Sequence, residues 1–154
     1  MDVKTIFNKY KGLVVVVSLV IVIMGIYNIF FTNPDIVFTR QTFVNLVQAR
    51  QSVQNSIDWE RFQAMGVDVA QELAKCKTEQ ERSDFCRLLI QGVATGFKNI
   101  GGKLSAFTNW RVYAKDNAQT TVAVDNVTHN KTLLLTITNQ PPRKLISMQW
   151  AGNK

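Results

Sequence analysis

The residues of this chain with the means to do chemistry are few: Cys76 and Cys86, a single histidine at His129, and the carboxylate pairs Asp58/Glu60 and Asp68/Glu72. A histidine works as acid or base when it is held inward beside a group that sets its proton. His129 falls instead between Thr128 and Asn130, a composition that turns use. Asp68 and Glu72, four apart in a helical pattern, share one face, and with no histidine or cysteine beside them they read as a solvated acidic surface. No glycine-rich phosphate loop, Gly-x-Ser-x-Gly elbow or His-Glu-x-x-His motif occurs. The expectation is a non-enzymatic protein with no catalytic residue, no cofactor and no metal.

Two isolated cysteines make neither a zinc site nor a Cys-x-x-Cys redox motif. In an oxidising compartment Cys76 and Cys86 could pair as a disulfide, closing an 11-residue loop at a gain of about 3 kcal/mol. The other reading is two free buried thiols. Asn126-Val127-Thr128 and Asn130-Lys131-Thr132 fit the N-glycosylation sequon, but asparagine and threonine also suit an outward turn and solvent-facing strands.

The elements that must position these residues begin with an apolar run. Gly12 to Phe31 holds 20 residues and no group charged at neutral pH; at about 1.5 Å per residue it reaches about 30 Å, one hydrocarbon core. The sequence therefore predicts a transmembrane signal anchor at 12–31, embedded in membrane lipid, between a cytoplasmic basic tail at 1–11 and an extracytoplasmic domain at 32–154. Lys4, Lys9 and Lys11 precede the run and the next basic residue is Arg40, so the positive-inside rule puts the N-terminus in the cytoplasm. A cleaved signal peptide fits less well, since its apolar region is shorter and ends at small residues. The expected placement is single-pass in the inner or plasma membrane, with a periplasmic domain.

The whole chain carries a formal +7. Without the leader, fifteen basic against ten acidic residues leave +5, spread with no block of like charges, so no nucleic-acid footprint is expected. Beyond the anchor, Asn33-Pro34-Asp35 opens an amphipathic helix with Ile36, Phe43, Val44, Leu46 and Val47 on broadly one side. Asp58 caps a second, broken helix from Trp59, and Thr78-Glu79-Gln80-Glu81 is a capping box opening a third, with Phe85, Leu88, Leu89, Val93 and Phe97 inward. Gly92 and Gly96 keep one stripe of that helix small, as close packing would require, and Gly101-Gly102 ends it. From Lys103 the period becomes two, and four strands with short turns make an antiparallel meander. The fold class expected is α+β: an N-terminal transmembrane helix, then three helices packed on a four-stranded antiparallel curved sheet. Strand parity turns Trp110 and Trp150 inward and Phe107 and Tyr113 outward, and Phe107, Arg111 and Tyr113 form the candidate partner surface.

The helix from Asn33, the short one from Ser56-Ile57-Asp58-Trp59-Glu60, the third ending near Gly101-Gly102-Lys103 and a meander closing on Leu145-Ile146-Ser147-Met148-Gln149-Trp150 together resemble the α+β cone of the nuclear transport factor 2-like (cystatin-like) superfamily, in its bacterial membrane-anchored form. The resemblance implies a cavity between sheet and helices used for ligands, catalysis or subunit contacts. Many members insert a hairpin between the second and third helices, for which Met65 to Thr78 reads as too short and too helical. The plan also resembles the inner-membrane assembly component of type IV secretion and conjugation machines. The expected function is protein binding or assembly in the bacterial cell envelope, with an envelope protein or a second copy as partner; the alternative is a small-ligand-binding or enzymatic cone.

Overall fold

The computed structural model describes residues 16–22 and 33–152, and the chain divides into two compact units, Met1–Asn33 and Pro34–Lys154. In the first unit, residues 16–22 are helical and exposed. Among the described residues no helix is long and apolar enough to cross a membrane. That corrects the expected transmembrane anchor at 12–31 and the single-pass inner-membrane placement built on it. The described part of the run, seven residues, rises only about 10 Å, a third of a hydrocarbon core. Residues 12–15 and 23–31 of that stretch, like the basic tail at 1–11, lie outside the described residues.

The second unit opens with helix α1 (Pro34–Val47). Its buried stripe is Asp35, Thr39, Thr42, Phe43, Leu46 and Val47, so the packed face is rotated from the expected one. Ile36 is half-buried and Val37 exposed. The cause is Asp35, drawn inward by Lys115 Nζ at 2.7 Å and Arg143 Nε at 3.0 Å. Burial opposes ionisation of Asp35, but the two cations outweigh it and hold its carboxyl below the usual carboxylate range. The helix stops where Ala49 takes φ 53°. Arg50 N then donates to Asn45 O and Ala49 N to Leu46 O, a Schellman closure in which alanine stands where glycine is usual.

A 3₁₀ turn (Gln51–Ser56) follows and seats Val53 in the core. The helix expected from Trp59 is absent, because the backbone there bonds to the far end of the chain: Asp58 N donates to Leu145 O, and Ile57 bridges Leu145 in parallel. Two short strands, β1 (Gln63–Ala64) and β2 (Val67–Asp68), come next. Met65 and Gly66, both at positive φ (51° and 86°), turn between them as two-residue hairpin loops require. This hairpin occupies the place where the sequence argues against one. Helix α2 (Val69–Leu73) is a single turn capped by Asp68, whose carboxylate accepts from Gln71 N.

Helix α3 (Glu79–Asn99) opens with the full capping box, Thr78 Oγ1 accepting from Glu81 N at 3.1 Å and Glu81 accepting from Thr78 N at 3.2 Å. Cys86, Ile90 and Ala94 are buried at four-residue spacing, whereas Leu88, expected inward, is exposed. A second Schellman closure ends it: Gly101 N donates to Lys98 O and Gly102 N to Phe97 O. A Cβ on Gly102 would lie 2.5 Å from Phe97 O, so only glycine fits this closure unstrained.

The sheet is six-stranded and mixed, which corrects the four-stranded antiparallel sheet expected. Its order is β2-β1-β6-β5-β4-β3, with β3 (Phe107–Lys115), β4 (Gln119–Asn126), β5 (Lys131–Thr138) and β6 (Leu145–Trp150). The additional pair is the hairpin, and β1 runs parallel to β6. Strands two residues long are too short to show a period. On the core face Val122 and Val124 of β4 meet Leu133, Leu135 and Ile137 of β5, all fully buried, while Thr121 and Thr136 hydrogen-bond to each other on the opposite face.

Candidate ligand-binding pocket

An apolar pocket opens beside the core. Between the C-terminal half of α3, the core face of the sheet and the β1–β2 turn lies a cavity of about 350 Å³, within the 300–1,000 Å³ common for small-molecule sites. Helix α1 contributes Phe43 and Val47 to its wall, α3 contributes Val93, Gly96 and Phe97, and the sheet contributes Phe107, Leu133, Met148 and Trp150. Phe43 anchors this wall, its ring 4.9 Å from that of Phe107 and 6.3 Å edge-on from that of Phe97. Met65 and Ile100 also line the cavity and are exposed, at 45 % and 58 %.

Gly92 and Gly96 were expected to admit a closely packed neighbour. Instead, a Cβ on either would meet nothing within 4 Å. Both glycines are exposed, so that stripe faces open space, and Gly96 lies at the rim of the cavity.

Among the described residues no titratable side chain lines the cavity, and the side chains there with a hydrogen-bonding group are Asn126 and, through its indole N–H, Trp150. Asn126 is the last residue of β4, on the same face as Val122 and Val124, and only 3 % exposed. Its Oδ1 accepts from the backbone N–H of Thr128 (3.0 Å) and of His129 (3.2 Å), which closes the turn at 127–130. The first sequon thus has its asparagine inside the fold. The inward position was legible from parity with Val122 and Val124; turn-forming chemistry masked it.

The sequence-predicted partner surface does not assemble. Asn109, at φ 55°, and a register shift between Thr108 and Arg111 invert the parity of β3, so Phe107 is buried, 9 % exposed, in the cavity wall. Arg111 is tied to Asp125 at 2.8 Å and to Asn109 O at 3.0 Å. Hydrogen bonds from Arg111, Asn109 and Thr132 hold Asp125 down at about 2. Tyr113 stands alone at a second register shift, 64 % exposed.

Cys76 and Cys86 are free thiols, half-buried and buried. Burial pushes the Cys86 thiol up, with Arg82 pulling the other way and Cys76 adding to the rise. The loop between them is held by the capping box, not by sulfur. Asp68 is spent capping α2, Glu72 pairs with Lys75 at 2.6 Å, and Asp58 takes both Nε and Nη2 of Arg61. Glu60 and His129 are exposed. Among the described residues no group of three or more histidine, cysteine or acidic side chains could hold a metal ion. A more open depression of about 480 Å³ beside Trp59 and Cys86 is rimmed by Asp58, Glu60 and Glu79 with Arg82 and Lys144, charges of both signs that define no ligand class.

The chain matches no protein family model, no curated protein and no solved structure.

Proposed function

We propose that this protein is a non-enzymatic binding module whose α+β domain takes an apolar ligand into the cavity between α3 and the sheet. The observation that carries the reading is the half-open apolar pocket itself: about 350 Å³, walled by aromatic and aliphatic side chains, it has the volume and character of small-molecule sites. The absence of any acid, base or nucleophile from its lining among the described residues sets binding ahead of catalysis. Membership of the nuclear transport factor 2-like cones is part of the proposal. The antiparallel run β3 to β6, with α1 packed against it, supports that membership.

The exposed collar of Met65 and Ile100 favours a second reading, in which an apolar side chain of a protein partner or of a second copy enters the same cavity. Methionine at a rim adapts to such contacts. Titration with the neutral fluorophore N-phenyl-1-naphthylamine tests the first reading. Saturable one-to-one enhancement by the folded protein is expected, and a linear, non-saturating response would sink it.

A further inference from the structure

The geometry points to a specific ligand chemistry: a neutral apolar molecule bearing one hydrogen-bond acceptor oxygen, such as a ketone, ester or amide carbonyl, whose oxygen is met by Asn126 Nδ2. The inference rests on the cavity being a ligand site, and it adds what the ligand must carry. Asn126 has two ends. Because Oδ1 accepts two backbone N–H groups, from Thr128 and His129, the amide cannot be flipped: the oxygen end must face those donors and the NH₂ end must face away. Nδ2 donates to no protein group among the described residues. No sealed side-chain nitrogen or oxygen there lacks a partner, so Nδ2 is in reach of solvent, on a residue that lines the cavity.

A donor in apolar surroundings discriminates strongly, and the indole N–H of Trp150 is the other one on this wall. An occupant without an acceptor covers the NH₂ group and strips it of water with nothing in return, whereas one with a carbonyl oxygen restores the bond. Among the described residues no cation lines the cavity, so a carboxylate would enter uncompensated; the acceptor belongs to a neutral group.

The test compares two probes of nearly equal shape, 2-acetylnaphthalene and 2-ethylnaphthalene, by displacement of N-phenyl-1-naphthylamine from the full-length protein and from Asn126→Asp. Aspartate keeps an oxygen for the Thr128 and His129 amides but removes the donor, and circular dichroism reports whether it folds. The wild-type protein should prefer the ketone by about fivefold or more, the worth of one hydrogen bond, and Asn126→Asp should lose or reverse that preference. Equal affinities in the wild-type protein, or an undiminished preference in a folded Asn126→Asp, overturn the inference and leave the cavity as a ligand site. Failure of both probes to displace the fluorophore overturns the inference too, and failure of the fluorophore itself to bind overturns the ligand site with it.

Discussion

Replacing Gly96 with leucine should make the protein more stable and less able to bind. Two effects combine on the stability side. Gly96 lies in the interior of α3, where glycine is about 1 kcal/mol worse than alanine and leucine is nearly as good as alanine. Its position is exposed at the cavity rim, with no atom within 4 Å of a built Cβ, so a leucine is added there without displacing anything. Full burial of such a side chain gains about 2 kcal/mol; here it lies at the mouth, and about half of that is realised, less about 0.5 kcal/mol of rotamer entropy. The net expectation is about 1.5 kcal/mol of added stability, read as a rise in Tm of about 6 °C for a domain of this size. The same side chain occupies the ligand's space, so N-phenyl-1-naphthylamine should bind at least tenfold more weakly. Thermal denaturation followed by circular dichroism, with fluorescence titration on the same preparation, gives both numbers. A fall in Tm would mean that the cavity is closed in solution, and unchanged probe binding would place the ligand elsewhere; either result refutes the reasoning.

The other glycine of this region should behave oppositely: Gly102→Ala forces a Cβ against Phe97 O at 2.5 Å, and an overpacking cost of about 1–3 kcal/mol is expected from chemical denaturation. Asp35→Asn should cost about 2 kcal/mol, less than a fully buried pair because Lys115 and Arg143 are 53 % and 32 % exposed and regain water. Since the folded Asp35 carboxyl titrates below its unfolded value, its contribution is complete above about pH 4 and is lost as pH falls through the folded value. The stability gap between wild type and Asp35→Asn should therefore narrow on acidification, and a gap constant from pH 7 to pH 2 would contradict the ion pairs. Arg111→Ala should raise the Asp125 carboxyl from about 2 toward the ordinary range, as carboxyl chemical shifts in an NMR titration would report, with little change in stability because the pair is part-exposed.

What could be read in the sequence was local. Thr78 and Glu81 meet across three residues, and their capping box needs nothing from the rest of the fold. Gly101 ends α3 by its own φ of 68°. What escaped was set at long range or by a single irregular residue. Trp59 to Phe62 looks helical, but Ile57 and Asp58 are captured by Leu145, 87 positions beyond Asp58, and tertiary pairing overrode propensity. One residue at positive φ, Asn109, moved Phe107 from the expected outer face into the cavity wall. The stripe of α1 turned because an acid found two cations distant in sequence, which no hydrophobic periodicity announces. The cavity has no sequence signature of its own: Gly96 marks it only once the space opposite is known to be empty.

The clamp on Asp35 also has a mechanical meaning. It is the second residue of the Pro34–Lys154 unit, and its carboxylate is gripped from the end of β3 by Lys115 and from the β5–β6 connection by Arg143. Tension arriving along the chain at Asn33 would be shared at once by two remote parts of the sheet, before the first turn of α1 could unwind.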